Sequence, residues 1–292
     1  MTSGTPGNGA KLKAMIEARR AVLAPGAANA LTARIIADLG FEVAYVSGAG
    51  IANTRLGVPD IGLVTLSELA DTVASIADIC TLPLVVDADT GFGNAVNMVR
   101  TVRVLERAGA NAIQIEDQVF PKRCGHFAGH EVISAEEMIA KVKAAVDTRS
   151  SRDFLIIART DARSASGMQA ALARANAYVA AGADATFVEA PATRDELEII
   201  TRALRVPQIA NMVIGGKTPV LPQSELAAMG FGLVIYANAA LQAAVKAMQE
   251  VLGALKSDGQ LDRVADRIGS FEERQRVVAK ANWDALERRY RS

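Results

Sequence analysis

Short apolar runs alternate along the chain with longer stretches whose apolar residues recur every three to four positions. The runs are continuously apolar and do not alternate with polar residues, which is typical of parallel strands buried on both faces. The predicted strands are Ala21–Ala24, Val43–Ser47, Leu84–Asp87, Ala112–Glu116, Phe154–Arg159, Ala185–Glu189, Gln208–Asn211 and Gly232–Tyr236. Between them, positions 95–110 predict a helix, because Met98, Val102 and Leu105 fall on one face.

Capping signals mark the ends of several predicted helices. Three Ser or Thr residues are each followed three positions later by Glu, which is the spacing of a capping box. The three pairs are Thr65 with Glu68, Ser134 with Glu137, and Thr193 with Glu196. Gly109 and Gly182 each stand just before a predicted strand, where a glycine commonly ends a helix. About eight such strand–helix units predict an α/β fold, a closed (β/α)8 TIM barrel.

An open, doubly wound sheet is the alternative fold. It predicts a glycine-rich phosphate-binding turn after the first strand. The segment 47–53, Ser-Gly-Ala-Gly-Ile-Ala-Asn, resembles that turn only weakly, because Asn53 stands where the third glycine would be. The closed barrel is therefore preferred.

Composition narrows the class of protein. A chain of 292 residues suits one large α/β domain, and its 32 basic and 32 acidic side chains balance. No apolar run is long enough to cross a bilayer. Residues 1–10 are polar and lack the apolar core of a signal peptide, so they predict a flexible tail. We therefore expect a cytoplasmic protein that binds neither nucleic acid nor membrane.

The C-terminal part, residues 239–292, has a different pattern. Residues 271–290 are charged and amphipathic, which predicts a terminal helix. The apolar residues within it are Phe271, Val278, Trp283, Leu286 and Tyr290. Such a helix either caps the barrel or reaches a neighbouring subunit, and the pattern by itself slightly favours capping.

Polar groups follow nearly every predicted strand. They are Ser47-Gly48-Ala49, Asp87-Ala88-Asp89, Glu116-Asp117, Arg159-Thr160-Asp161, Glu189 and Asn211. In a barrel the carboxyl ends of the strands meet at one mouth, where active sites lie. Ordinary solvated loop residues would explain one or two of these positions, but not six in phase.

Three carboxylates indicate a metal site. Asp87 and Asp89 are two residues apart on an extended segment, so both side chains project to the same side, and Glu116 ends the adjacent strand. Confined carboxylates repel one another unless a cation lies among them. Mg²⁺, with Mn²⁺ as an alternative, suits such oxygen donors. The competing interpretation is helix capping by Asp89 or salt bridges within the loops.

The segment 122–126, Lys-Arg-Cys-Gly-His, contains a candidate catalytic thiol. Neighbouring cations lower the pKa of a thiol, so Cys124 could donate or accept a proton near neutral pH. Cys80, in an apolar helical run, is better explained as a small buried side chain. His126 and His130 have the spacing of a zinc pair, but no helix and no third soft ligand accompany them, so zinc is disfavoured.

Arg159 follows an apolar strand, where a cation requires an anionic partner. A substrate carboxylate suits its planar fork. The competing interpretation is an ion pair with Glu189 or Asp161, and the two roles can coexist.

Taken together, these motifs closely resemble the isocitrate lyase/phosphoenolpyruvate mutase superfamily, roughly from Leu12 to Tyr290. The matching segments are 86–93 (Val-Asp-Ala-Asp-Thr-Gly-Phe-Gly), 115–118 (Ile-Glu-Asp-Gln), 122–126, 158–162 (Ala-Arg-Thr-Asp-Ala) and 188–191 (Val-Glu-Ala-Pro). The resemblance implies a (β/α)8 barrel, dependence on Mg²⁺, and a homotetramer in which a C-terminal helix is swapped between subunits.

The resemblance also implies roles for particular residues. Asp87, Asp89 and Glu116 would hold the metal, largely through water. Cys124 would be the general acid/base on a gating loop, and Arg159 and Glu189 would complete the catalytic set. The residues expected to bind substrate are Tyr45, Ser47, Gly48, Ala49, Asp60, Gly125, His126, Arg159, Glu189 and Asn211.

The members of this superfamily differ in chemistry, and Cys124 favours carbon–carbon cleavage over phosphoryl transfer. Two arginines of methylisocitrate lyases correspond here to Gln242 and Phe271, which argues against a tricarboxylate substrate. The segment 211–219 looks more like the oxaloacetate hydrolase and dimethylmalate lyase group, although Ile214 replaces a glutamate often seen there.

The resulting hypothesis is a Mg²⁺-dependent lyase acting on a small carboxylic acid. It would cleave a 2-hydroxy, or hydrated 2-oxo, di- or tricarboxylic acid and release pyruvate or a related 2-oxo acid. Oxaloacetate hydrolysis and phosphonopyruvate-type chemistry are the alternatives. A non-catalytic binding scaffold is disfavoured by the intact set of carboxylates and Cys124.

Overall fold

Eight parallel strands close into a barrel in chain order, with β8 paired to β1. The computed structural model describes residues 7–123, 125 and 131–291. The strands are β1 Val22–Ala27, β2 Ala44–Val46, β3 Leu84–Asp87, β4 Ala112–Glu116, β5 Leu155–Thr160, β6 Ala185–Val188, β7 Gln208–Asn211 and β8 Phe231–Tyr236. The predicted (β/α)8 barrel is confirmed, and the open sheet is excluded.

Helices cover the outside of the barrel and extend beyond it. In chain order they are α1 Asn8–Glu17, α2 Ala30–Asp38, α3 Gly48–Ile51, α4 Leu66–Ala77, α5 Ala95–Ala108, α6 Ala135–Thr148, α7 Ala162–Ser166, α8 Met168–Ala180, α9 Arg194–Ala203, α10 Gln223–Met229, α11 Ala239–Asp258, α12 Phe271–Val277 and α13 Lys280–Tyr290. A π-helical turn spans Ala52–Leu56, and a 3-10 helix spans Asp262–Arg267. Among the described residues, no helix is long and apolar enough to span a bilayer.

The predicted capping signals start and stop these helices. Thr65 and Glu68 form a reciprocal capping box at the start of α4. Ser134 and Thr193 likewise accept hydrogen bonds from the backbone N–H groups three residues further on. Gly109 ends α5 in the left-handed conformation, with φ of 106°. Local sequence therefore determines these boundaries.

Helix α1 closes the amino-terminal end of the barrel. Leu12 and Ile16 are buried and pack with Val22 and Leu233 of the barrel interior. Residues 8–10, which the sequence places in a flexible tail, form the first turn of this helix. The predicted tail, residues 1–10, is therefore too long, because the buried Leu12 and Ile16 anchor α1 from its first turn.

The C-terminal part differs from the single helix predicted over residues 271–290. The helix is interrupted between α12 and α13, where Ala279 has a φ of 52°. Neither helix buries a side chain, and Arg276 of α12 forms an ion pair with Asp38 at the end of α2. The prediction that the C-terminal helix caps the barrel is wrong within one subunit, because most apolar side chains of α12 and α13 remain exposed.

Candidate active site

A cavity opens at the mouth where the carboxyl ends of the strands meet. Its lining includes ten of the predicted site residues, namely Tyr45, Ser47, Ala49, Asp60, Asp87, Glu116, Gly125, Arg159, Glu189 and Asn211. The cavity is small, about 30 Å³. Cys124 and His126, predicted at the same site, lie outside the described residues, as does His130.

Asp87 and Asp89 converge beside Gly48, the first residue of α3. A Cβ atom placed on Gly48 would lie 3.2 Å from Asp87 Oδ2 and 3.2 Å from Asp89 Oδ1. The absence of a side chain at Gly48 therefore leaves room next to both carboxylates. Glu116 ends the adjacent strand β4, and its Oε1 is buried with no hydrogen-bond partner in the part of the chain described.

Burial makes these acids difficult to ionise. It raises the pKa of Asp89 to about 7, against the attraction of Lys122 and with a further contribution from Asp87. Burial also raises the pKa of Glu116 well above its ordinary range. A cation bound among them would reverse this effect, because it favours the charged form of each carboxyl group.

Lys122 supplies part of that positive charge. Its Nζ lies 2.5 Å from Asp60 Oδ1 and 2.6 Å from Asp89 Oδ1, although the side chain is only 3% exposed. Burial opposes its charged form, but the surrounding carboxylates, with Asp89 foremost, raise the pKa of Lys122 well above its ordinary value. The competing interpretation of Asp89 is a salt bridge within the loops or a helix cap. The salt bridge is present, with Lys122 as the partner, whereas Asp89 caps none of the described helices.

The carboxylate cluster fits a hard divalent ion bound through water. Its donors are carboxylate oxygens, and Glu116 Oε1 has no described partner to satisfy it. Across the described ranges, no three Asp, Glu, His or Cys side chains are arranged to coordinate one ion directly. This donor set suits Mg²⁺, which commonly keeps several waters and uses only one or two carboxylates.

Arg159 lies at the centre of the remaining charges. Its guanidinium donates to both oxygens of Asp161, at 2.9 Å from Nε and 2.8 Å from Nη2. Its Nε is 3.4 Å from Glu116 Oε2, and its Nη1 is 3.9 Å from Glu189 Oε2. Burial opposes the charge, but these acids raise the pKa of Arg159 well above its ordinary value. The predicted ion pairs with Asp161 and Glu189 are both present.

Glu189 follows β6 and faces Arg159 from the next strand. Burial raises its pKa to about 7, while Arg159 and a hydrogen bond with Asn211 lower it. A carboxyl group with this pKa can exchange a proton near neutral pH. Arg159, Glu189 and Asn211 therefore form a polar wall on the β5–β7 side of the cavity.

Gly125 packs directly against this wall. A Cβ atom on Gly125 would lie 2.5 Å from both Arg159 Nη2 and Glu189 Oε1. Arg123 and Gly125 both line the cavity. The two chain neighbours of Cys124 are therefore at the site, as the prediction for the thiol requires.

Replacing Gly125 by alanine tests this close packing. The added methyl group cannot be accommodated without moving Arg159 or Glu189, which are both buried. We expect kcat/KM to fall about tenfold or more, because small misplacements of positioned groups have large kinetic effects. Gly7→Ala is the matched control, since nothing lies within 4 Å of its Cβ position and it precedes α1 at the other end of the barrel. Equal kinetic constants for the two variants would contradict the described packing.

Several residues at the site were not predicted as site residues. Those that line the cavity are Lys122, Arg123, Val213, Ile235, Ala237 and Asn238. Asn238 lies two residues after the end of β8, so extending the strand-end argument to the last strand would have found it. The side-chain Oδ1 of Asn238 is buried and has no hydrogen-bond partner among the described residues. No comparable signal in the sequence indicates that Lys122 bridges Asp60 and Asp89.

Comparison with known proteins agrees with this geometry. Residues 12–256 match the phosphoenolpyruvate phosphomutase family. The chain belongs to this family. It is 46% identical over 264 residues to the 2,3-dimethylmalate lyase of Eubacterium barkeri, covering 90% of this chain and 91% of that relative. The predicted superfamily is thereby confirmed.

Solved structures of the superfamily superpose on nearly the whole chain. A crystal structure of 2,3-dimethylmalate lyase aligns with a TM-score of 0.93 and 32% identity, over 99% of this chain and 97% of that one. A phosphonopyruvate hydrolase in complex with oxalate and Mg²⁺ aligns with a TM-score of 0.89 and 33% identity, over 98% and 100% of the two chains. Members of one fold thus break different bonds, so the reaction must be argued from the site.

Proposed function

We propose that this phosphoenolpyruvate phosphomutase family member is a Mg²⁺-dependent carbon–carbon lyase. Its substrate would be a 2-hydroxy or hydrated 2-oxo diacid, of the dimethylmalate and 2-methylisocitrate lyase type. The observation that supports this most strongly is a buried carboxylate cluster that lies next to Arg159 and Glu189 around one small cavity. The similarity to 2,3-dimethylmalate lyase over most of both chains agrees with it.

Different residues of the cavity lining would hold the two ends of the diacid. Asp87, Asp89 and Glu116 would hold Mg²⁺, which when bound polarises oxygen atoms of the substrate. Ser47 and the backbone at Gly48 and Ala49 would hold the carboxylate attached to C2, the carbon that carries the hydroxyl group. Next to Glu116, the guanidinium of Arg159, the protonated carboxyl group of Glu189 and the amide of Asn211 would hold the second carboxylate. Tyr45 and Asp60 complete the lining.

The reaction would be a retro-aldol cleavage. A carboxylate of the cluster removes the proton of the 2-hydroxyl group, the C2–C3 bond breaks, and C2 becomes the carbonyl carbon of a 2-oxo acid. The bonding electrons pass to C3 as an enolate-like anion, whose charge Arg159 stabilises in a site with little room for water. The thiol of Cys124 then gives its proton to C3. With 2,3-dimethylmalate, the products would be pyruvate and propionate.

The wall around the end of β8 suggests which diacids fit. It contains Val213, Ile235, Ala237 and Asn238, which are uncharged. Gln242 and Phe271, which stand at the positions of two arginines in methylisocitrate lyases, are both exposed and do not line the cavity. A small alkyl substituent therefore suits this wall better than a third carboxylate does.

Two other activities are close enough in chemistry to require direct exclusion. Oxaloacetate hydrolysis would use the same cluster on a hydrated 2-oxo diacid and would yield oxalate and acetate. Phosphonopyruvate hydrolysis is supported by the similarity to a phosphonopyruvate hydrolase. The Cys-Gly pair at positions 124 and 125 favours carbon–carbon cleavage over both phosphonate chemistry and a non-catalytic scaffold.

A substrate panel separates these activities. The purified protein with Mg²⁺ would be incubated with dimethylmalate, citramalate, methylisocitrate, oxaloacetate and phosphonopyruvate, and pyruvate, oxalate and phosphate would be measured. We expect the highest kcat/KM with a hydroxy diacid and formation of pyruvate. Release of phosphate from phosphonopyruvate as the preferred reaction would refute the lyase proposal.

We also propose that the protein forms a homotetramer in which α11 and the helices after it contact a partner subunit. Helix α11 exposes one apolar face, formed by Val245, Met248, Leu252 and Leu255. Nearby, α2 exposes Leu31, Ile35 and Leu39 along an apolar groove of about 540 Å³. Apolar surfaces of this extent in a soluble protein commonly mark interfaces.

A charge placed on this face is expected to weaken the assembly. The double variant Met248→Lys/Leu252→Lys should shift the molar mass measured by light scattering from about four subunits toward one or two, because each buried charge is costly. Lys246→Glu, an exposed change on the opposite face of α11, is the control and should leave the mass unchanged. A monomeric wild-type protein would disprove the proposed assembly.

A further inference from the structure

We infer that Gln118 is a positioning residue of the active site. It links the backbone of Arg123 to the carboxylate that orients Arg159, and this inference rests on the proposed function. Gln118 follows β4, is 3% exposed, and belongs to neither the carboxylate cluster nor the catalytic set described above.

The side-chain amide of Gln118 forms two hydrogen bonds with the backbone of Arg123. Its Oε1 accepts a hydrogen bond from the backbone N–H of Arg123 at 2.9 Å, and its Nε2 donates to the backbone carbonyl of Arg123 at 2.9 Å. A side-chain amide thereby pairs with Arg123 as a neighbouring strand would. Gln118 itself is held by a bridge to Val132, with hydrogen bonds on either side of it.

The same Nε2 also forms a hydrogen bond with Asp161, the carboxylate that pairs with Arg159. It donates to Asp161 Oδ1 at 3.1 Å. That oxygen also accepts from Arg159 Nη2 at 2.8 Å, while Asp161 Oδ2 accepts from Arg159 Nε at 2.9 Å. Asp161 is fixed further by its own backbone N–H, which donates to Asp117 Oδ1 at 2.9 Å. Gln118 and Asp161 therefore connect Arg123 to Arg159 through three successive hydrogen-bonded contacts.

The arrangement has a consequence for the reaction. Gly125, two residues after Arg123, packs against Arg159 and Glu189. If Gln118 loses its amide, the backbone of Arg123 and the guanidinium of Arg159 are no longer held relative to each other. The charge developing on the leaving carboxylic acid anion would then be stabilised less well, while the first contacts of the substrate with the cluster would persist. The effect should fall on kcat more than on KM.

The test compares Gln118→Leu with Gln208→Leu. Gln208 is also fully buried and hydrogen-bonded, to Thr186 and the carbonyl of Val206, but it starts β7 at the other end of the barrel. Both variants should lower Tm. We expect only Gln118→Leu to lower kcat, by about tenfold to a hundredfold, with KM changed less than about threefold.

Gln118→Glu provides a second variant if Gln118→Leu does not fold. It retains the acceptor for the Arg123 N–H but removes the N–H donors to the Arg123 carbonyl and to Asp161. It should show the same kcat defect. The inference is overturned if a folded Gln118 variant has kcat within twofold of wild type, or if Gln208→Leu loses kcat equally.

Binding of oxalate separates this inference from the proposed reaction. Calorimetry in the presence of Mg²⁺ requires no turnover, so it remains informative even if the wild-type protein cleaves none of the diacids. Oxalate is a planar dianion, so it would depend on the guanidinium of Arg159 as the developing enolate-like anion does, and more than the uncleaved substrate does. We therefore expect the Kd for oxalate to weaken about tenfold in Gln118→Leu and to remain unchanged in Gln208→Leu. Inactivity of the wild-type protein toward every diacid would refute the lyase proposal alone. Equal oxalate affinity in the wild type and in both variants would refute the positioning role alone.

Discussion

Replacing Cys124 by serine is expected to slow cleavage of the diacid by about a hundred- to ten-thousandfold, the usual effect of losing a positioned general acid. A hydroxyl group is close in size to a thiol but a far weaker acid, so protonation of C3 would be impaired. The substitution leaves the carboxylate cluster and Arg159 unchanged. Binding of Mg²⁺ and oxalate should therefore persist.

The control for this variant is the other cysteine. Cys80 is buried, with its Sγ 3.8 Å from the carbonyl oxygen of Ala33, away from the cavity. Cys80→Ser should lower thermal stability slightly and leave kcat unchanged. Steady-state kinetics and thermal melts of both variants decide the matter. Turnover of Cys124→Ser within twofold of wild type would remove this thiol from the mechanism.

The second large effect is expected from Asp87→Asn. Asparagine has nearly the same shape but no charge, so the cluster loses attraction for a divalent ion. A metal that polarises the reacting oxygens contributes several kcal/mol to the transition state, so activity should fall about a thousandfold or more. The barrel should remain folded, because removing one of several buried like charges relieves repulsion.

Thermal melts report the same effect without turnover. An ion present at a hundred times its Kd stabilises the native state by about 2.7 kcal/mol, which corresponds to a rise of roughly 5 °C in Tm. Wild type should show this rise with Mg²⁺, and Asp87→Asn should not. Asp184→Asn is the matched control, because Asp184 pairs with Arg149 just before β6, at the opposite end of the barrel. An undiminished Mg²⁺ response in Asp87→Asn would contradict the assigned metal site.

The sequence predicts the barrel well because its signals are local. Continuous apolar runs locate all eight strands, and β3, β4 and β7 have the predicted bounds. Since parallel strands end at the same mouth, the polar residues after them gather without any knowledge of tertiary structure. Asp87, Glu116 and Arg159 are found in this way.

What the sequence does not predict depends on the paths of the loops. Lys122 lies between Asp60 and Asp89 only because three separate loops turn toward one another. Gln118 is an ordinary polar residue until Arg123 folds back onto it. The division of the terminal segment into α12 and α13 follows from the backbone at Ala279, which no periodicity indicates.

If the carboxylate cluster and the Arg159–Glu189 pair together break a carbon–carbon bond, 2,3-dimethylmalate should be cleaved only in the presence of the metal. The most direct measurement follows 2,3-dimethylmalate by NMR in the presence of the protein and Mg²⁺, before and after addition of a chelator. We expect equal amounts of pyruvate and propionate to form, and the reaction to stop when the metal is removed. An unchanged dimethylmalate spectrum, or cleavage that continues at the same rate with chelator, would contradict the account.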